Sequence, residues 1–391
     1  MSSKTGFSYL DGIMALGVKR NTILTLTISN FIIWVGFHIW RIVFNNYAVE
    51  YFDASPTAIG AIQAVREIPG LLAFGVGALA VYMTESRIAA LSIVIVGCGL
   101  MLSGFASSIL ILGMATFVLS LGFHYFEPTN TSQLLMLAGA NQFGRVQGRY
   151  QSYESMAGLL GAGFVLSLTL VLDYRQTLYL IGGMVALVGV YLTLALPPNR
   201  GKADQRRMTL KREYWLYYTL SFLRGCRRHI FTTFAIFLLV KNYGLSITVV
   251  SMIYLFNNFA TVFTHRFVGK ISDRFGERAV LAGSSLLLIF IFSGYALVTY
   301  LPLLIAFFFL DNIMFGSSIA LKSYLRRIST DEDLTGCLSF GMTANHITAV
   351  VIPAVGGLIW SQFGHQATFI AGATIVAFDL MFALQLPSKV E

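Results

Sequence analysis

Three arginines and a histidine, Arg224, Arg227, Arg228 and His229, sit in the middle of an apolar segment that runs from Tyr214 to about Val240. At spacings i, i+3 and i+4 the arginines lie on one side of a helix. A guanidinium at mid-membrane costs about 3 kcal/mol even on insertion-derived scales, so such charges persist where they meet water, counter-charges or a ligand. Snorkelling from mid-span would strain the side chains. A purely structural network is the second reading, because Glu67, Glu127, Glu154 and Asp311 also fall inside apolar segments. The third is a substrate cavity in which some of those acids pair with arginine in the empty state. Guanidinium forks hold carboxylate, phosphate or sulfonate through paired hydrogen bonds, which a lysine does not do. An anionic organic substrate is therefore the expectation.

Other polar faces fit the same cavity. Trp34, His38, Arg41 and Asn45 form one stripe, Gln63, Arg66 and Glu67 a second, and Asn257, Asn258, Thr261 and His265 a third. Substrate contacts are expected from Trp34, His38, Arg41, Arg66, Arg224, Arg227, Arg228, Asn257 and Asn258. The run Gly122-Phe-His124-Tyr-Phe-Glu127-Pro128 places a carboxylate and an imidazole one turn apart. Glu127, Glu67 and His124 are the candidates to carry or relay a proton. His38, His124, His229 and Glu127 are also a conceivable divalent-metal set, but the surrounding arginine argues against a cation, and no metal site is assigned. His346 stands alone and is read as a helix-packing residue.

The elements that position these residues follow from composition. Of 391 residues, 56% are hydrophobic and 12% charged, with a mean hydropathy of +0.72. That balance belongs to an integral membrane protein. Apolar runs long enough to cross about 30 Å of hydrocarbon recur at 22–48, 56–83, 88–107, 109–137, 148–172, 176–196, 214–240, 245–269, 279–299, 301–323, 337–362 and 366–386. The expected fold is all-α, with twelve transmembrane helices in two pseudo-symmetric six-helix bundles. Residues 1–196 form the first bundle, 197–213 a charged linker and 214–391 the second.

Lysine and arginine crowd the loops on one side, among them Lys19, Arg20, Arg87, Arg145, Arg149, Arg206, Arg207, Arg274, Arg278, Arg326 and Arg327, against Arg175 and Lys241 on the other. This asymmetry places both termini in the cytoplasm and accounts for the formal charge of +9 without nucleic acid. The first twenty residues read as a cytoplasmic lead-in rather than a signal peptide. Cys98, Cys226 and Cys337 form no spaced cluster, so neither disulfides nor a thiolate metal site is expected. Laying residue i over i+191 aligns the first two spans with the seventh and eighth: His38-Ile39 falls on His229-Ile230, Ser55 on Ser246, Thr57 on Thr248 and Arg87 on Arg278. A parallel repeat with a site between its halves is the plan of a rocking transporter.

After the eighth span comes Gly269-Lys-Ile-Ser-Asp273-Arg274-Phe-Gly276-Glu-Arg278. It resembles the G-x-x-x-D-R-x-G-x-R loop signature of the major facilitator superfamily, and the resemblance in topology and repeat covers the whole chain. It implies a gating role for Asp273, Arg274 and Arg278. The copy in the first half, Gly77 to Arg87, has Tyr82 opposite Asp273 and so departs from the pattern. Gly158, Gly161 and Gly163, with Pro353, Gly356 and Gly357, are similar to the family's small-residue packing in helices 5 and 11. The resemblance also places the polar faces on cavity-lining helices. The pairing of Arg41 with the arginines of the seventh span is similar to organic-anion carriers of the superfamily.

The expected function is secondary active transport of a small organic anion by alternating access, proton-coupled or by exchange. Drug/proton antiport is the rival, although the fourth span lacks the R-x-x-x-G of those proteins; a divalent-metal transporter ranks lower. A transporter-like sensor and a membrane enzyme are further alternatives. Short loops weigh against the first, and the absence of G-x-S-x-G, H-E-x-x-H or a phosphate-cradling loop against the second. No cofactor is expected. The expected partners are the anionic solute, protons and the lipid bilayer, with the chain a monomer in a bacterial inner membrane.

Overall fold

A computed structural model describes residues 20–72, 76, 79, 82–195 and 211–387; the side chains of 20–25, 131–132, 134–152, 261–273, 331–332 and 335 lie outside the description. The described elements are all helical. They are α1 (Arg20–Phe52), α2 (Pro56–Leu71), α3 (Glu85–Gly104), α4 (Ile109–Leu168), α5 (Tyr174–Ala195), α6 (Trp215–Tyr243), α7 (Ile247–Leu297), α8 (Leu301–Met314), α9 (Ser318–Ile328) and α10 (Asp331–Ala383), with short 3₁₀ turns at Arg212–Tyr214 and Phe315–Ser317. Most of the charged linker falls outside the described residues. Where it resumes, the Lys211 ammonium lies 2.6 Å from Asp333, and the Tyr214 hydroxyl donates to the same carboxylate at 2.9 Å.

Local chemistry sets the helix ends. Ser55 accepts from the Ala58 amide at 3.1 Å, with Pro56 at the first helical position where no amide is needed. Thr84, Ser108 and Thr330 cap α3, α4 and α10 in the same way. The sequence repeat reappears as geometry. α1 ends at Phe52 and α6 at Tyr243; Asp53 (φ 46°) and Gly244 (φ 65°) both turn through the left-handed region. Ser55 and Ser246 then precede α2 and α7. All four correspondences keep the offset of 191 found in the sequence.

α4 is too long to be straight. Its 60 residues would span about 90 Å. Yet the Phe123 ring lies 5.0 Å from Trp34, while Gly158 and Gly161 lie against His38, one turn further along α1. Both arms of α4 therefore pack on one stretch of α1, and the element doubles back. α7 breaks at Gly276 (φ 80°, ψ 164°) and α10 at Gly364 (φ 83°, ψ 167°), conformations that a side chain would strain. Seven helices among the described residues are long and apolar enough to cross a membrane, and Tyr153–Leu168 and Ile247–Ala260 are shorter apolar helices. The chain is thus a multi-pass helical membrane protein. The expected count of twelve treats α4, α7 and α10 as two crossings each.

Small residues set the closest helix approaches. Gly97 and Gly189 bring α3 and α5 to backbone contact, and Gly99 and Gly122 do so for α3 and α4. Large apolar side chains such as Leu187, Tyr191 and Leu194 on α5 stay exposed at helical spacing, as expected of a face against lipid.

The first six expected spans meet the last six along a seam that is tight at the end away from the described chain ends. There Asp53 pairs with Lys241, the Asn46 amide donates to the Leu245 carbonyl at 2.8 Å, and the hydroxyls of Thr57 and Ser361 are 2.6 Å apart. One turn inward, a Cβ on Gly60 would lie 2.2 Å from the Pro353 carbonyl, and one on Gly357 would lie 2.6 Å from the Pro56 carbonyl. Only glycine permits α2 and α10 to cross this closely. Deeper still, Glu67 meets His346. The inter-half contacts thus run from the α1–α2 corner to the middle of α2.

Candidate functional site

The helix-6 arginines divide between two environments. Arg227 donates to Asp311 at 2.8 Å and lies 4.8 Å from the Phe315 ring centroid; Asp311 is fully buried. Arg224 pairs with Asp379 at 3.0 Å and donates to the Ser317 hydroxyl at 2.8 Å and the Leu281 carbonyl at 3.2 Å. Ser285 donates to the same Asp379 carboxylate at 2.6 Å. These pairs knit α6 to the C-terminal arms of α7 and α10 and to the α8–α9 segment, inside the second half.

Arg228 is turned about 100° from Arg227 around the helix axis. It keeps accessible surface while surrounded by protein, 5.4 Å from the Phe315 centroid, and lies within electrostatic reach of Glu67, Arg41 and Glu127. Of the three arginines expected to bind substrate together, the structure brings only Arg228 to the seam. An i, i+3, i+4 pattern covers about a third of a helix circumference, wide enough to face two surroundings at once.

The seam gathers residues from several elements. Arg41 of α1 lies 5.2 Å from the Tyr254 ring of α7, and Glu154, on the returning arm of α4, faces Arg228, Arg41 and Glu127. Glu127 and Pro128 are exposed at mid-helix, beside the cationic groups just named. Charges so placed at membrane depth mark a polar cavity rather than a lipid face.

His38 is buried against Gly158 and Gly161, and neither of its ring nitrogens has a hydrogen-bond partner among the described residues. Asn258 packs on Gly158 from the other half, and Asn257 is buried on the same helix. Trp34 sits edge-on to Phe123 and beside His38, as an aromatic floor under them.

Deeper in the seam, Arg66 pairs with Glu67, donates to Gln63 at 2.7 Å, and lies 5.9 Å from the Trp40 ring. Glu67 also meets His124 Nε2 at 3.5 Å and His346 Nδ1 at 3.3 Å. His346, read from sequence as a packing residue, is therefore part of the site, and its only sequence signal was an imidazole inside an apolar run. Asp379, which anchors Arg224, was likewise visible only as a lone acid in the last span. The conceivable metal set of His38, His124, His229 and Glu127 does not converge; His229 Nε2 instead lies 3.3 Å from Asn345.

The loop signature is described in part. Arg274 is exposed beside Phe275, Arg278 is half-buried, and Gly276 makes the break in α7. Glu277 accepts from Ser323 at 3.0 Å and pairs with Arg327 at 3.3 Å, which ties this turn to α9. The side chain of Asp273 lies outside the described residues, as do those of Thr261 and His265.

A repeated helical bundle with a charged seam between its halves defines the class of polytopic membrane proteins with a central polar cavity. The sequence model of the Major Facilitator Superfamily matches residues 214–390, the second half of the chain. A curated relative, "Uncharacterized MFS-type transporter YuxJ" from Bacillus subtilis (strain 168), is 30% identical over 102 residues; the match covers 26% of this chain and about a quarter (26%) of that relative. Solved structures share the fold along nearly the whole chain. A bacterial homologue of the human lysosomal transporter Spinster, inward-facing and unoccupied, aligns with a TM-score of 0.73 at 13% identity over 92% of this chain and 95% of that one. The nucleoside transporter NupG aligns with a TM-score of 0.73 at 15% identity over 93% and 99%.

Proposed function

We propose that this protein is a secondary carrier that moves a small organic anion across the membrane by alternating access, coupled to a proton. The observation that carries this reading is the seam itself: Arg41 and Arg228, one from each half, face Glu127 and Glu154 in a polar cavity at membrane depth. In the empty state the carboxylates neutralise the guanidiniums. An arriving anion takes the fork of Arg228 or Arg41 and displaces a carboxylate. That carboxylate is then left beside a second one, and a proton on either relieves their repulsion. Anion and proton thus enter the cavity together, and neither leaves a bare charge behind when the halves rock.

Arg66 and Glu67 belong to the inter-half contact at mid-depth, beside the cavity, and His38, Trp34, Asn257 and Asn258 to its walls. Arg224 and Arg227 hold the second half together. Asp273, Arg274 and Arg278 are the proposed gating group, on the loop signature. With both termini cytoplasmic, the tight end of the seam is external and this conformation is inward-facing. A monomer in a bacterial inner membrane suits this reading. Drug/proton antiport needs a cavity that favours hydrophobic cations, which the guanidiniums of Arg41 and Arg228 oppose.

The test is thermal stabilisation of the purified chain by phosphorylated, carboxylated and cationic solutes. One anion class should raise the unfolding midpoint of the parent, and Arg228→Gln should abolish that rise while leaving the solute-free midpoint within a few degrees. Stabilisation by hydrophobic cations that is equal in parent and variant would overturn the anion reading.

A further inference from the structure

We propose that Glu67, His124 and His346 form a divalent transition-metal site that bridges the two halves. The three ligand atoms come from α2, α4 and α10 and lie within 4.8 Å of one another. Glu67 Oε2 is 3.5 Å from His124 Nε2 and 3.3 Å from His346 Nδ1. Direct hydrogen bonds favour shorter separations, about 2.7–3.2 Å. A tetrahedral ion with nitrogen and oxygen ligands at about 2.1 Å sets those atoms about 3.4 Å apart, which is the spacing of Glu67 Oε2 from each imidazole nitrogen; the two nitrogens, within 4.8 Å of each other, would close onto the ion.

The orientation of His124 points the same way. Its Nδ1 lies 3.0 Å from the Ser120 carbonyl, which accepts only, and 2.9 Å from the Ser120 hydroxyl, whose own proton goes to the Arg66 carbonyl. Nδ1 therefore carries the hydrogen. Nε2 is left facing an anionic carboxylate oxygen, and either a proton or a metal cation between them satisfies both; in the neutral imidazole the Nε2 lone pair is free to bind the metal. A backbone acceptor that fixes the tautomer is also the usual second support of a metal-bound histidine.

Room for both rings is provided by Gly70, where a Cβ would fall 2.5 Å from His346 Nδ1 and 2.9 Å from His124 Cδ2. Arg66 occupies the Oε1 side of Glu67 and leaves Oε2 to the ion. Two imidazoles and one carboxylate suit Zn²⁺, Ni²⁺ or Co²⁺ rather than Mg²⁺ or Ca²⁺. Because Glu67 and His124 belong to one half and His346 to the other, a bound ion clasps the halves at mid-depth and holds the arrangement seen here.

The experiment titrates the purified full chain with Co²⁺, read by ligand-field absorption, and with Zn²⁺, read by the shift in unfolding midpoint. No organic solute is present, so its result is independent of the anion reading. One equivalent should bind, with affinity falling roughly 10–100-fold in His124→Ala and in His346→Ala, while His365→Ala binds as the parent does. Gly70→Ala serves where a histidine variant fails to fold, since its methyl closes the site while both imidazoles remain. Absence of saturable binding to the parent, or equal binding to the parent and to the site variants that fold, would overturn the proposal.

Discussion

At the scale of single residues, the neighbours Arg227 and Arg228 separate structure from function. Arg227→Gln leaves the fully buried Asp311 carboxylate without its partner, and breaking a buried pair in this way costs about 3–5 kcal/mol. The expected result is a large fall in the unfolding midpoint of the detergent-solubilised protein. Replacing both partners, as in Arg227→Met with Asp311→Leu, should recover most of the loss, because no uncompensated charge then remains. If Arg227→Gln unfolds with the parent and instead loses solute-induced stabilisation, the assignment of roles within the cluster is wrong. Charge type and depth were readable along the chain, but the partner of each charge was not. Asp379 lies 155 positions beyond Arg224, a pairing that no local pattern reports.

At the scale of elements, the crossing of α2 and α10 is set by glycine. Gly60→Val would force a side chain into the Pro353 carbonyl, and backbone on both sides leaves nothing to give. The variant should hold the tight end of the seam open. With Cys98 replaced by serine, a Thr57→Cys probe should react with an aqueous thiol reagent faster in the Gly60→Val background than with Gly60 intact. Equal rates would show that this crossing does not control access. The glycine-rich stretches were legible as close-packing signals, yet their partners were not. Gly158 meets His38 and Asn258 rather than a bare helix, and a Cβ on Gly163 would meet nothing within 4 Å among the described residues. The reversal inside α4 likewise became evident only when both its arms were found against α1.

At the scale of the whole molecule, the two halves are joined at one end by an ion pair that reports on pH. The Lys241 ammonium beside Asp53 holds its carboxyl below the usual carboxylate range. A depressed folded-state value means the pair stabilises the closed end fully above the ordinary carboxylate value of about 3.9, and that this contribution is lost as pH falls through the lower, folded value. Asp53→Asn keeps a side chain that tolerates the left-handed backbone and removes only the charge. The difference in unfolding midpoint between parent and Asp53→Asn should be constant from about pH 6 to 8, begin to shrink only below about pH 4, and vanish once pH falls below the lowered, folded-state value. Asp53 is almost fully exposed, so that difference should also shrink with added salt. A difference that grows in acid would contradict the assignment.

By itself the sequence determined that this is a membrane-embedded, all-helical chain, that it is built from a repeat at an offset of 191, and that its unusual charges lie at membrane depth. Hydropathy, helix-end chemistry and the pairing of Asp53 with Gly244 are local properties, written wherever the residues stand. Tertiary structure alone decided which charges neutralise each other, that Arg224 and Arg227 turn inward while Arg228 faces the seam, and that His346 joins Glu67 and His124 across the halves. The physical reason is that a helix carries its side chains around a full circle. The partner each one meets is set by how distant helices pack, and in lipid that packing follows small residues and shape rather than a hydrophobic pattern along the chain.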